Sequence, residues 1–153
     1  MTESSGGGRL PPRWFIRFFW VLHRRFYALT GGRGLRRPTP KDWGMMRLHT
    51  VGRQSGKERI AILGYYEDGP NLVTLAMNGW GKPEPAWWLN AQARPETTVD
   101  TVDGPKSVRV RAASGEERTR LWARWAEYEG GDNLEAWSSR RDRETAVVVL
   151  EPR

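Results

Sequence analysis

The chain has 153 residues and a formal net charge of +7, from 25 lysines and arginines against 18 aspartates and glutamates. That length suits one domain with a single sizeable core, and that charge suits an anionic partner: nucleic acid, an anionic membrane surface or an acidic small molecule. Cysteine is absent and the two histidines, His23 and His49, stand in unlike contexts, which excludes disulfides, thiol nucleophiles and cysteine metal sites and argues against any metal centre or Ser-His-Asp triad. Chemistry, if present, is expected from a bound cofactor.

Residues 1–12 are rich in Gly and Ser, end in Pro-Pro and lack an apolar run, so we read them as a flexible tail without a signal peptide. Residues 13–44 form the next unit, an amphipathic helix and a linker. Phe15, Phe18, Phe19, Leu22, Phe26 and Leu29 recur at helical spacing, with Arg13, Arg17 and Arg24 projecting elsewhere. Arg17 and His23-Arg24-Arg25 make the stretch too short and too charged to span a bilayer. Two readings stand. The helix over residues 13–29 lies on an anionic membrane with Trp14 and Trp20 at the interface, or it packs on the domain or on a second subunit. Thr30-Gly-Gly-Arg-Gly34 ends it, and residues 33–40 are a basic, proline-bearing linker.

From residue 45 to 153 the pattern is one of short strands and helices. Strands are expected over residues 45–50 and 60–66. Between them runs Thr50-Val-Gly-Arg-Gln-Ser-Gly-Lys-Glu-Arg59. Gly52 and Gly56 permit a turn that exposes consecutive N–H groups; Arg53, Lys57 and Arg59 add cations, and Ser55 adds a hydroxyl donor. Such a turn suits a phosphate or another anionic tail at a sheet edge, and it equally suits a solvated basic hairpin tip, since no phosphate-loop motif is matched.

Asp68-Gly69 predicts a hairpin into a strand over residues 72–77, and Asn78-Gly-Trp-Gly-Lys-Pro is a loop. Pro85 is placed as an N1 proline for a helix through Trp87, Trp88, Leu89 and Asn90 to Arg94, which Pro95 stops. Residues 97–102 and 107–112 flank Asp103-Gly104 as a second hairpin. Ser114-Gly-Glu-Glu117 has capping-box spacing ahead of Leu121, Trp122, Trp125 and Tyr128, and Asp132-Asn-Leu-Glu135 repeats it before Trp137. Residues 146–150, continuously apolar, read as a buried strand. The sum is an α+β fold, a small barrel of about six mostly antiparallel strands with helices outside. The basic residues are dispersed over tail, linker and turn without a recognition motif, so no nucleic-acid partner is expected.

Gly52-Arg53-Gln-Ser55-Gly56-x-x-Arg59, the hairpin at Asp68-Gly69, Ala76-x-Asn78-Gly79, Pro85-x-Trp87-x-x-Asn90 and the closing Val147-Val-Val-Leu-Glu-Pro152 occur together in order. This resembles the deazaflavin-dependent nitroreductase and quinone reductase family of actinobacteria, over residue 48 onward. The resemblance implies a split β-barrel that binds coenzyme F-420, with FMN the alternative in related branches. It implies hydride transfer to a planar apolar acceptor such as a quinone, menaquinone included, with nitro compounds as further acceptors. The alternative is a barrel that binds a flavin-like ligand without turnover. Arg53, Gln54, Ser55, Gly56, Lys57 and Arg59 would hold the anionic tail, and Ala76, Met77, Asn78 and Gly79 would line the deazaflavin ring. Trp87 and Asn90 would sit nearby, with Trp87 and Leu89 also suited to core packing. Tyr128 and Ser55 are candidate proton donors beside solvent. Gln54 stands where many relatives carry a cation, Met77 and Trp80 replace small residues, and only Tyr128 remains of several tyrosines in the stretch to Trp137. A cytoplasmic enzyme, peripheral at the inner face of the membrane through residues 13–29, and a homodimer complete these expectations.

Overall fold

The computed structural model describes residues 34–77, 83–128, 138–139 and 144–153. Its strands are β1 (Gly44–Val51), β2 (Glu58–Asp68), β3 (Asn71–Leu75), β4 (Glu96–Thr101), β5 (Gly104–Ala112) and β6 (Val147–Pro152), and its helices are α1 (Ala86–Ala93) and α2 (Gly115–Tyr128). The strands close into a barrel in the order β1-β2-β3-β6-β5-β4, every neighbouring pair antiparallel. This is the expected six-stranded barrel. The expected helix over residues 13–29, the loop residues Asn78 to Lys82, and the capping pattern at Asp132 with Trp137 lie outside the described residues.

Alternation along each strand divides the core into two layers, because successive side chains point to opposite faces. In β1, Met46 and Leu48 are buried inside while Arg47 and His49 are half-buried on the outer face. The run Val147-Val-Val-Leu150 is apolar throughout because both of its faces are covered: Val148 and Leu150 fill the barrel, and Val147 and Val149 lie in the outer layer with Leu121 and Trp125 of α2. α1 contributes Trp87 and Trp88 to the barrel interior, the two rings meeting edge to face at 6.1 Å.

The outer layer extends to the segment before β1. Trp43 stacks on Trp125 at 5.5 Å with an interplanar angle of 14°, over a bare patch of β2: a Cβ on Gly64 would approach Trp43 Cδ1 to 3.2 Å. Residues 36–43, read as a linker, are thus fixed to the barrel, through a bridge between Arg36 and Met45 and a bond from the Tyr128 hydroxyl to Thr39 O at 3.3 Å.

Three local expectations are corrected. Pro85 is the N-cap of α1, not its first helical residue: its φ of −64° is fixed by the ring, but its ψ of 141° is extended, and its carbonyl accepts from Trp88 N. The capping-box role of Glu117 gives way to a stronger partner, since both of its carboxylate oxygens receive Arg111, at 2.6 and 2.9 Å. β3 ends at Leu75, before the expected Met77; Ala76 N still reaches Ala146 O at 3.0 Å, but Met77 N turns back onto Leu75 O. Among the described residues no helix is long and apolar enough to cross a membrane.

Candidate functional site

The β1–β2 connection is where the basic turn, helix α1 and the barrel meet. Residues 52–57 form a closed loop, with Gly52 N bonded to Lys57 O and Gly56 N to Gly52 O, both at 2.8 Å. Gly56 takes φ +72°, open to glycine at no steric cost. Gly52 has a different reason: a Cβ there would lie 2.6 Å from Ser55 Oγ and 3.3 Å from Lys57 O. Ser55 Oγ in turn accepts from Lys57 N at 3.2 Å.

These bonds narrow the expectation of a run of free amides. The N–H groups of Gly52, Gly56 and Lys57 close the loop, and that of Arg53 is taken by Asn90 Oδ1 at 3.1 Å. Among the described residues the amides of Gln54 and Ser55 take no partner and remain as the consecutive pair at the exposed tip.

The cations tell more than the amides. Arg36, Arg37, Arg47, Arg109, Arg111, Arg118, Arg120 and Arg153 each pair with a carboxylate. Arg53, Lys57 and Arg59 are exposed and have no such partner among the described residues. Glu58, within the same run, is drawn to the outer face of β1, where its Oε2 lies 3.2 Å from His49 Nδ1. His49 Nε2 meets Asp100 at 2.9 Å, and Arg47 meets the same carboxylate at 2.6 Å. Although burial works against the charged form, the bonds from His49 and Arg47 hold the Asp100 carboxyl below the usual range. Three cations, two amides and a hydroxyl, with the adjacent acid held elsewhere, form a donor set that fits a phosphate or carboxylate-bearing group.

Asn90 joins this turn to α1. Trp87, Asn90 and Ala91 share the buried face by helical spacing, so the helix carries a carboxamide into a region where each polar atom needs a partner. Besides the Arg53 amide, Oδ1 receives Arg53 Nη1 at 3.3 Å, and Nδ2 donates to Thr50 Oγ1 at 3.3 Å.

The other candidates fall as follows. Gln54 is exposed at the tip. Trp87 is buried in the barrel, matching its core reading. Ala76 is fully buried and Met77 packs against the outer layer, so this segment leads the chain out of the barrel; Asn78 and Gly79 beyond it lie outside the described residues. Tyr128 is not brought to the turn. It stacks on Tyr66 at 5.7 Å, eight residues along β2 from Glu58, roughly 26 Å at strand spacing. Sequence reasoning missed Thr50 as the second anchor of Asn90 and the Arg47–His49–Asp100 group. The inside-outside alternation of β1 was the available signal for both.

Comparison with known proteins gives a consistent result. The family model described as F420H(2)-dependent quinone reductase matches residues 20–152. A Mycobacterium tuberculosis protein whose name places it among the F420H(2)-dependent quinone reductases is 32% identical over 123 residues, 80% of this chain and 98% of its own length. A solved structure described as a domain-swapped dimer superposes with a TM-score of 0.65 at 26% identity, covering 88% of this chain and 99% of that one. Another, of an F420-H2 dependent reductase, gives 0.61 at 27% identity, covering 70% and 93%. The heme storage protein HutZ of Vibrio cholerae gives 0.54 at 12% identity over 86% and 90%, a likeness of fold alone.

Proposed function

Because the chain belongs to the F420H(2)-dependent quinone reductase family, we propose that Arg53, Lys57 and Arg59, with the amides of Gln54 and Ser55, hold the anionic phosphate and glutamate tail of its deazaflavin. The protein is an oxidoreductase that uses coenzyme F-420 and transfers hydride from the reduced deazaflavin to a quinone. When bound, the reduced deazaflavin supplies the hydride, and the protein supplies binding, orientation and electrostatics.

The observation that carries the site is the contrast among cations: among the described residues, Arg47, Arg109 and Arg111 on the strands β1 and β5 are matched to carboxylates, and the clustered cations of the turn, like Arg94 at the end of α1 and Arg124 on α2, are not. The guanidinium forks of Arg53 and Arg59 suit paired oxygens of phosphate or carboxylate, and Lys57 acts as a point charge. Gly52 and Gly56 keep the loop closed so that these groups converge. Trp87 and Trp88 fill the barrel below α1 and keep water from that interior. Ala76 and Met77 deliver Asn78 and Gly79, which we place against the ring. With the Tyr128 hydroxyl bonded to Thr39, the proton that completes quinone reduction comes from solvent.

Menaquinone is the acceptor we favour, for which the quinone in the family description and the apolar stripe of residues 13–29 are the support. On this reading residues 1–12 are a tail, and residues 13–44 bring the domain of residues 45–153 to the cytoplasmic face of the membrane. The likeness to a domain-swapped dimer supports a homodimer. Removing residues 1–29 should then abolish binding to anionic liposomes.

The site is tested by titrating the protein with coenzyme F-420 and, separately, FMN, following tryptophan quenching. Tight deazaflavin binding that weakens on Arg53→Ala, with turnover of a quinone, is expected. Preference for FMN, or binding of neither, would overturn this reading.

A further inference from the structure

Asn90 is 4% exposed. Its carboxamide does not bond to the core around it; its partners are Thr50 and Arg53, on either side of Gly52. Oδ1 receives both the amide and Nη1 of Arg53, so the arginine side chain folds back over its own backbone. Of the five guanidinium donors, one is engaged among the described residues, and the others remain for an anion.

We infer that Asn90 is a positioning residue for the anionic tail of the cofactor: it fixes the Arg53 guanidinium in its binding geometry without neutralising it. The inference rests on the tail-binding reading of the turn. An unrestrained exposed arginine loses rotamer freedom when it closes on an anion, whereas a tethered one has lost it beforehand. The choice of an amide follows from charge. Elsewhere on the barrel, arginines are held by carboxylates, as in Arg47–Asp100, Arg111–Glu117 and Arg120–Asp68. Those contacts orient a guanidinium and cancel its charge together. A carboxamide oxygen accepts the same hydrogen bond and leaves the positive charge for the ligand.

The test uses Asn90→Asp, which keeps the shape and adds the charge, and Thr50→Val, which removes the second anchor with little change in volume. Three probes are titrated against the full chain: coenzyme F-420, a deazaflavin nucleoside lacking the phosphate and glutamate tail, and inorganic pyrophosphate. Asn90→Asp should weaken coenzyme binding about tenfold or more, the scale of one charge-assisted contact, and weaken pyrophosphate in parallel, with nucleoside binding unchanged. Thr50→Val should weaken the two tailed or anionic probes by about two- to threefold, a fraction of one hydrogen bond, and should add nothing further to Arg53→Ala. If Asn90→Asp does not fold, Thr50→Val and its combination with Arg53→Ala carry the test. An equal loss for the nucleoside would overturn the inference, because Asn90 would then act at the ring or on the fold. Failure of the native protein to bind either deazaflavin would sink the functional reading. In that event, pyrophosphate binding that falls in the variants would uphold the positioning role, and pyrophosphate binding that is absent or unaffected would overturn it.

Discussion

Gly52 and Ser55 should be coupled, and the size of the coupling follows from the turn. A methyl group on Gly52 would meet Ser55 Oγ at 2.6 Å, where ordinary contact begins near 3.4 Å. Ser55 must rotate, and its bond to Lys57 N, 3.2 Å long, is lost. That costs about 1 kcal/mol, and the small shift demanded of Lys57 O adds to it. Gly52 is not among the glycines with positive φ, so alanine carries no dihedral penalty and regains about 0.4–1 kcal/mol through the unfolded chain. Gly52→Ala should therefore cost about 0.5–1.5 kcal/mol, or about 2–4 °C in Tm per kcal/mol for a chain of this size. Ser55→Ala alone should cost about 0.5–1 kcal/mol. In the double variant the clash has no atom to act on and the bond is already gone, so it should be no less stable than Gly52→Ala, a coupling of about 1 kcal/mol. Urea unfolding of all four proteins, analysed as a cycle, measures this directly. Additivity within about 0.3 kcal/mol would show that the two side chains do not compete for space.

Three further outcomes follow from other contacts. The Asp100 carboxyl is held below its usual value, so its contribution is present above the ordinary carboxylate range and is lost as pH falls through the lower folded value; Asp100→Asn should be less stable at neutral pH and flatten the acid limb of the stability curve, and an unchanged acid limb would refute this. Burial, with the Glu67 charge adding, pushes the Tyr65 phenol up to about 12. Its contribution is complete below the ordinary tyrosine value and declines as pH rises through about 12, and ultraviolet titration of native protein against Tyr65→Phe should show one tyrosine ionising late. Trp125 is 2% exposed and stacked on Trp43, so Trp125→Ala should cost about 3–5 kcal/mol in denaturant unfolding; a loss under about 1 kcal/mol would mean that the outer layer collapses to fill the space.

The parts of the fold legible in the sequence were those written locally. Asp68-Gly69 marked the β2–β3 turn, where Gly69 takes φ +59°, and the unbroken Val147-Val-Val-Leu150 run announced a strand covered on both sides. In both hairpins the Asp-Gly signal was offset by one residue: Asp68 pairs with Asn71, so Gly69 and Pro70 form the first turn, and Thr101 pairs with Gly104, so Val102 and Asp103 form the second and Gly104 opens β5. The pairings that close the barrel, β1 with β4, β3 with β6 and β5 with β6, leave no local trace, because each depends on segments distant in sequence. The site divides in the same way. Its cations and glycines stand together in one run and could be read. Asn90 could be named with them through the spacing Pro85-x-Trp87-x-x-Asn90, but its bond to Arg53, 37 residues earlier, joins segments distant in sequence and leaves no local trace. Glu117 shows the reverse error: its spacing from Ser114 was right for a cap, and a nearby arginine outcompeted the backbone for it.

The strand order also determines how the chain can be assembled during synthesis. β1, β2 and β3 pair consecutively, as do β4 and β5, so both groups can form as local hairpins while the chain is still emerging. The free edge of β3 and the free edge of β5 have the same partner, β6, the last of the six strands to leave the ribosome. Once β1 has paired with β4, and until residues 147–152 arrive, a nascent chain carries two open edges lined by Val73, Leu75, Val108 and Val110, the condition under which strands recruit other chains. A stalled or truncated product lacking this strand would therefore be the aggregation-prone species, and insertion of β6 is the step that removes both edges together.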